Sequence, residues 1–140
     1  MDIAIKKNAE RLSDIRNAFK MFSDPLDMIA YLIDIGKGAH NMSDKEKTDD
    51  NIIIGCTSKA WIIVSKLIDG TYSIRTDSDS HIVSGLLHLL SLSINNQSKS
   101  FINDIDAIKI LNSIGLDGKI TSQRTNGFLS AVQTLKGRIN

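Results

Sequence analysis

The hydrophobic pattern of this chain changes period partway along and then changes back, and that constrains the fold more than any other feature. Up to Gly38 apolar residues recur at helical spacing. The pattern then turns to β-branched runs and alternation. Ile52-Ile53-Ile54 is stopped by Gly55, and a second run goes from Trp61 to Ile68. In a third, from Thr71 to Thr76, Tyr72 and Ile74 alternate with Ser73 and Arg75. Asp69-Gly70 separates the second and third runs, and this pair suits a tight hairpin turn, which needs positive φ. After Ser80 the helical period returns. Two helices, three sequential strands and three helices predict an α+β domain: a three-stranded antiparallel sheet covered by helices.

The helical boundaries follow from capping chemistry. Leu12, Ile15, Phe19 and Phe22 form the buried stripe of the first helix. Ser23-Asp24-Pro25 supplies a cap and a proline for the second, which is expected to bury Leu26, Ile29, Leu32 and Ile33 and to end at Gly36 and Gly38. Ser43 to Asp50 alternates charges and has almost nothing to bury, so it reads as a solvated loop. Asp77-Ser78-Asp79-Ser80 can satisfy the free N–H groups that open the next helix, whose apolar face is Ile82, Val83, Leu86, Leu87 and Leu90. After a polar link from Asn95 to Ser100, a helix containing Ile105, Ile108 and Leu111 stops at Gly115. The last helix runs from about Thr121-Ser122 to Gly137.

Length and charge narrow the function. The 140 residues read as one domain, residues 1–140, large enough to bury a core without staples. Seventeen basic against sixteen acidic residues leave a net charge of +1, so no field favours nucleic acid or an anionic membrane as partner. The N-terminus lacks the pattern of a signal or transit peptide, and the longest apolar runs are too short to span a bilayer. A cytoplasmic protein, or a mature organellar one, is expected. The single cysteine excludes an internal disulfide, a CxxC redox pair and a metal site built mainly from thiolates. It also suits a reducing compartment.

That cysteine, Cys56, is the leading candidate for chemistry. A free cysteine often merely fills space in a core. Cys56, however, follows Gly55 at a turn between two expected strands, where glycine lets the thiol project from a sheet edge. Thr57, Ser58 and nearby N–H groups can stabilise a thiolate, and Lys59 can lower its pKa. From position alone, space-filler and nucleophile remain level.

The surrounding residues carry a resemblance. Asn51-Ile52-Ile53-Ile54-Gly55-Cys56-Thr57-Ser58-Lys59-Ala60-Trp61 resembles the active loop of the SufE family of cysteine desulfuration proteins, with its Gly-Cys, an asparagine five residues before the cysteine and a tryptophan five after it. Asp77-Ser78-Asp79-Ser80-His81-Ile82-Val83-Ser84-Gly85-Leu86 is similar to the family's second block. Arg124-Thr125-Asn126-Gly127-Phe128 resembles its C-terminal Arg-x-x-Gly-Leu, and Tyr31 to Gly36 matches a helix-ending pattern. The likeness spans about residues 19 to 137 in order. Thr57 and Lys59 depart from it where glutamines often stand, and Ser122-Gln123 replaces the usual Pro-Ser.

The resemblance implies a SufE/NifU-like fold and an accessory sulfur-transfer protein rather than an enzyme, with no cofactor of its own. Cys56 would accept sulfur as a persulfide from a pyridoxal-phosphate cysteine desulfurase, stimulate that enzyme, and deliver the sulfur to an iron–sulfur cluster scaffold complex. Gly55, Asp79, Arg124 and Trp61 would support the site, and a homodimer is one assembly open to it. The alternative is a cysteine-dependent hydrolase or another thiol enzyme. A cluster scaffold is disfavoured, since scaffolds normally supply several cysteine ligands.

Other polar residues have plainer readings. From Asp77, an EF-hand would need glycine where Ile82 stands and glutamate where His88 stands, so helix capping is the better account of Asp77 and Asp79. His81 and His88 share one flank of a helix without an oriented partner, and His40 lies in a loop without a legible role. Arg124 opens a helix, where the dipole disfavours a cation; it is either a solvated surface residue or a partner for a buried carboxylate such as Asp77 or Asp79, and the resemblance favours the pairing. Trp61 reads as core lining the pocket that receives Cys56.

Overall fold

The computed structural model describes residues 3–140. Its elements in chain order are α1 (Ile3–Lys20), α2 (Pro25–Lys37), β1 (Ala60–Lys66), β2 (Tyr72–Ser78), α3 (His81–Ile94), α4 (Lys99–Asp104), α5 (Ala107–Ile114) and α6 (Ser122–Ile139). The expected α+β class holds, but the sheet has two strands, not three. β1 and β2 pair antiparallel from Ala60 opposite Ser78 to Lys66 opposite Tyr72. The first run, Ile52-Ile53-Ile54, fails as a strand because it has room for only one rung. A 3-10 turn at Asp49–Asn51 ends just before it, and Gly55 turns the chain just after. Ile52 makes a single bridge to Trp61, and the Ile53 N–H donates to the Ala60 carbonyl at 2.8 Å. Ile53 is buried and Ile54 is 82% exposed, so the run anchors a loop rather than extending a ladder.

The hairpin closes as its residues demand. Gly70 has φ +87, and the Asp69 carboxylate accepts from both the N–H and the hydroxyl of Thr71.

Helix α3 is the centre of the molecule. Ten of its fourteen residues are buried, which makes it a core helix with no solvated face rather than an amphipathic one. Leu86, Leu87, Leu89 and Leu90 are almost fully covered, each contributing about 1.5–3 kcal/mol of transfer free energy. Helix α2 crosses α3 at two glycines. A Cβ on Gly36 would lie 1.7 Å from the His81 carbonyl oxygen, and one on Gly85 would lie 2.5 Å from that of Leu32. Gly36 therefore lies inside the helix and permits the crossing, while Gly38 caps the end. The same crossing sets the buried face of α2 as Met28, Leu32 and Ile35, leaving Leu26 74% exposed. On α1, Ile15 and Phe19 face the core, and the Phe19 ring meets Tyr31 of α2 edge-on at 5.2 Å.

The single helix expected around Ile105 to Leu111 is two. α4 stops at Asp104, and Asp106 caps α5 by accepting from the Lys109 N–H, so Ala107, Leu111 and Ile114 turn inward and Ile108 is left partly exposed. Gly115, with φ +97, ends α5 as expected. Among the described residues no helix is long and apolar enough to cross a membrane.

Candidate functional site

Cys56 sits on the loop between the Ile52–Trp61 bridge and β1, and two glycines on different segments let it sit there. Gly55 has φ +96, which L side chains rarely adopt, and a Cβ on it would fall 2.6 Å from the Ser130 hydroxyl of α6. On the other side, a Cβ on Gly127 of α6 would lie 3.1 Å from the Cys56 sulfur. The thiol thus lies over a bare stretch of helix backbone. The far end of the loop is tied to the β2–α3 corner: the Lys59 carbonyl accepts from the Asp79 N–H at 3.0 Å and from the Ser78 hydroxyl at 2.8 Å.

The thiol is half-buried. Burial pushes its pKa above the ordinary value of 9.0, because the thiolate loses hydration, and a backbone hydrogen bond from Ser58 opposes this without overcoming it. The expectation that Lys59 lowers this pKa is overturned. Lys59 is exposed and serves the site through its carbonyl. Cys56 is thus a sheltered thiol whose ionisation burial opposes.

Beside it lies a cavity of about 160 Å³. Thr57 and Ser58 of the loop, Ser80 and Val83 of α3, and Thr121, Gln123 and Arg124 of α6 wall it together with Cys56. Arg124 and Cys56 therefore wall one cavity. Arg124 pairs with neither aspartate, and no salt bridge includes it among the described residues. Asp79 is exposed and meets the loop only through its backbone N–H. Trp61 is core, as read, but lies outside the cavity wall, with the Lys47 ammonium 5.5 Å from its ring centroid.

Asp77 has a role that spacing could not show. It is fully buried at the end of β2 rather than capping α3; Ser80 supplies that cap by accepting from the Val83 N–H. One carboxylate oxygen meets His40 Nδ1 at 2.5 Å and the Ser78 N–H at 2.8 Å. The other meets the Met42 N–H at 3.3 Å and the Lys47 ammonium at 3.5 Å. Burial alone would raise the pKa of Asp77, but these four partners outweigh it and hold the carboxyl below its ordinary 3.8. This occupancy is why Asp77 has no room for Arg124.

His40 in turn reaches His81 through Nε2, 2.8 Å from His81 Nδ1. With Asp77 ionised, His40 donates to it from Nδ1. Asp77, His40 and His81 form a line that pins the loop after α2 to the β2–α3 corner. His88 is elsewhere on α3, where burial and the nearby Arg11 charge lower its pKa. Among the described residues no three His, Cys, Asp or Glu side chains converge as a metal site.

Sequence reasoning missed His40, whose partners lie 37 and 41 residues away. It also missed the purpose of Gly127, which stood in the Arg-x-x-Gly pattern and inside a helical stretch without any sign that it makes room for Cys56.

A half-buried thiol on a glycine-turned loop, packed against α6 and backed by an α+β core, defines a cysteine-bearing α+β domain. Residues 13–139 match the SufE family, described as an Fe–S metabolism associated domain, and the chain belongs to that family. It is 31% identical over 128 residues to an uncharacterized SufE-like protein of Rhizobium etli, covering 89% of this chain and 86% of that one. A second uncharacterized SufE-like protein, from Rhizobium meliloti, is also 31% identical over 128 residues, covering 89% and 91%. The solution structure of a hypothetical protein from Thermus thermophilus shares the fold, with a TM-score of 0.68 at 14% identity over 91% of this chain and 92% of that one.

Proposed function

We propose that this protein is a sulfur carrier of Fe–S metabolism that accepts persulfide sulfur on Cys56 from a pyridoxal-phosphate cysteine desulfurase, stimulates that enzyme and passes the sulfur to a cluster-assembling scaffold. The observation that carries the reading is the placement of the chain's sole cysteine, half-buried on the Gly55 turn over Gly127 in a SufE-family domain. The reaction is thiol exchange. Cys56 loses its proton, its sulfur attacks the outer sulfur of the donor's persulfide, the donor's S–S bond breaks, and the donor leaves as a thiolate. No external oxidant or reductant is needed, and the protein is an accessory to the desulfurase rather than an enzyme with its own turnover.

The raised pKa suits this role. A protonated thiol resists oxidation while idle, and moving the loop toward a docked donor rehydrates and ionises it. Such a carrier works in a reducing compartment such as the cytoplasm. A Cys–His hydrolase is the weaker reading, because no histidine walls the cavity; His40 bonds Asp77 and His81 instead.

The test is mass spectrometry after incubation with a desulfurase and cysteine. The wild-type protein gains about 32 Da, one sulfur atom, on Cys56. Cys56→Ser folds normally and gains nothing. A gain of the same mass by that variant would move the acceptor to another group and end the proposal.

A further inference from the structure

The cavity next to Cys56 carries more charge logic than a resting place for a thiol requires. Arg124 is the one charged residue in its wall, and no carboxylate joins it there. It stands in the first turn of α6, at the positive end of the helix, where a cation is disfavoured. No salt bridge among the described residues compensates for this. The N-cap Ser80 and the first-turn Val83 of α3 line the same space, so residues from the starts of two helices and Arg124 share one small volume. The Ser80 and Thr121 hydroxyls are committed to capping. Those of Thr57 and Ser58 make no hydrogen bond among the described residues and are free to donate. An unpaired cation held against a helix dipole, with two free hydroxyls and a thiol on the same cavity, is matched by an anion whose reactive end faces the thiol.

We propose that this cavity binds a small anion carrying a transferable sulfur, of which thiosulfate is the simplest, and that Cys56 loads itself from it without a protein donor. The inference rests on Cys56 being a sulfur acceptor, as proposed above. Arg124 and the hydroxyls of Thr57 and Ser58 hold the sulfonate oxygens, leaving the outer sulfur toward Cys56. Cys56 releases its proton to water. The thiolate then attacks the outer sulfur, the S–S bond of thiosulfate breaks, and sulfite leaves with the bonding pair. One thiolate and one thiosulfate give one persulfide anion and one sulfite, with charge conserved and no other redox partner. The persulfide anion stays in the field of Arg124.

The first test compares alkylation of Cys56 by iodoacetate, an anion, and by iodoacetamide, its neutral analogue. Because both report the same thiol, the ratio of their rates cancels pKa and exposure. The ratio is expected to exceed that of free cysteine by about threefold or more at low ionic strength. Sulfate should lower it, and Arg124→Gln should return it to the free-cysteine value. A wild-type ratio at or below that of free cysteine overturns the proposal, and this arm needs no variant to fold.

The second test adds millimolar thiosulfate and follows sulfite release together with the mass of Cys56. The expected result is one sulfite per sulfur gained, with less of both in Arg124→Gln. Equal loading of wild type and variant would refute recognition by the cavity. If desulfurase and cysteine load Cys56 but thiosulfate does not, this inference fails and the carrier reading stands; if neither loads it, both fail.

Discussion

Replacing Gly127 by alanine isolates the contact that shelters the thiol. The new Cβ would lie 3.1 Å from the Cys56 sulfur, inside ordinary van der Waals distance, so one of the two must shift by about 0.5 Å. Gly127 belongs to a packed helix between Phe128 and the rest of the α6 core, whereas Cys56 rides on a loop with Gly55 and Thr57 exposed at its tip. The sulfur is the group that moves, outward into water. Its raised pKa comes mainly from burial, so displacement lowers it toward the ordinary thiol value. Each unit of fall increases the thiolate about tenfold at a fixed pH below the midpoint, so alkylation by iodoacetamide near neutral pH should speed up by about three- to tenfold. Stability should change little, because alanine in a helix interior gains about 0.5–1 kcal/mol over glycine, offsetting the lost sulfur packing. The assay is the alkylation rate against pH for both proteins, with urea unfolding as the control. An unchanged rate and midpoint in a folded Gly127→Ala protein would refute the claim that this contact keeps the thiol protonated.

Gly36→Ala should cost about 3 kcal/mol or more, read as a large fall in melting temperature, because its Cβ would strike a backbone oxygen of α3 that cannot turn aside. Asp77→Asn should destabilise by about 2–3 kcal/mol at pH 7, read by urea unfolding, since it weakens bonds to His40 and Lys47 within a buried network. The sign with pH follows from the depressed carboxyl: its contribution is present above the ordinary 3.8 and is lost as pH falls below that value, so the variant should show a shallower acid limb than wild type.

How much of this was legible beforehand differs between the fold and the site. The helix boundaries at Pro25, Ser80, Gly115 and Thr121 could be read because capping and φ preference act within a few residues. The hairpin at Asp69-Gly70 could be read for the same reason. The Ile52–Ile54 run could not be rejected, because its composition suits a strand and only the missing room for a ladder decides against it. At the site, the motif around Cys56 and the arginine at 124 were legible as a pattern. The direction of the Cys56 pKa was not, because burial by α6 is a tertiary fact that no neighbour in sequence announces.

The linear chain by itself determined where helices and turns begin, that there is a single cysteine, and which family pattern surrounds it, since these depend on residue identity and side-chain chemistry at short separation. Tertiary structure alone decided that Gly36 and Gly127 make room for distant groups, that Asp77 is taken by His40 and Lys47, and that Arg124 is left unpaired beside Cys56. The physical reason is common to all of these: each depends on how close two segments far apart in sequence come once α2, α3 and α6 are packed, and packing distance is a property of the assembled core.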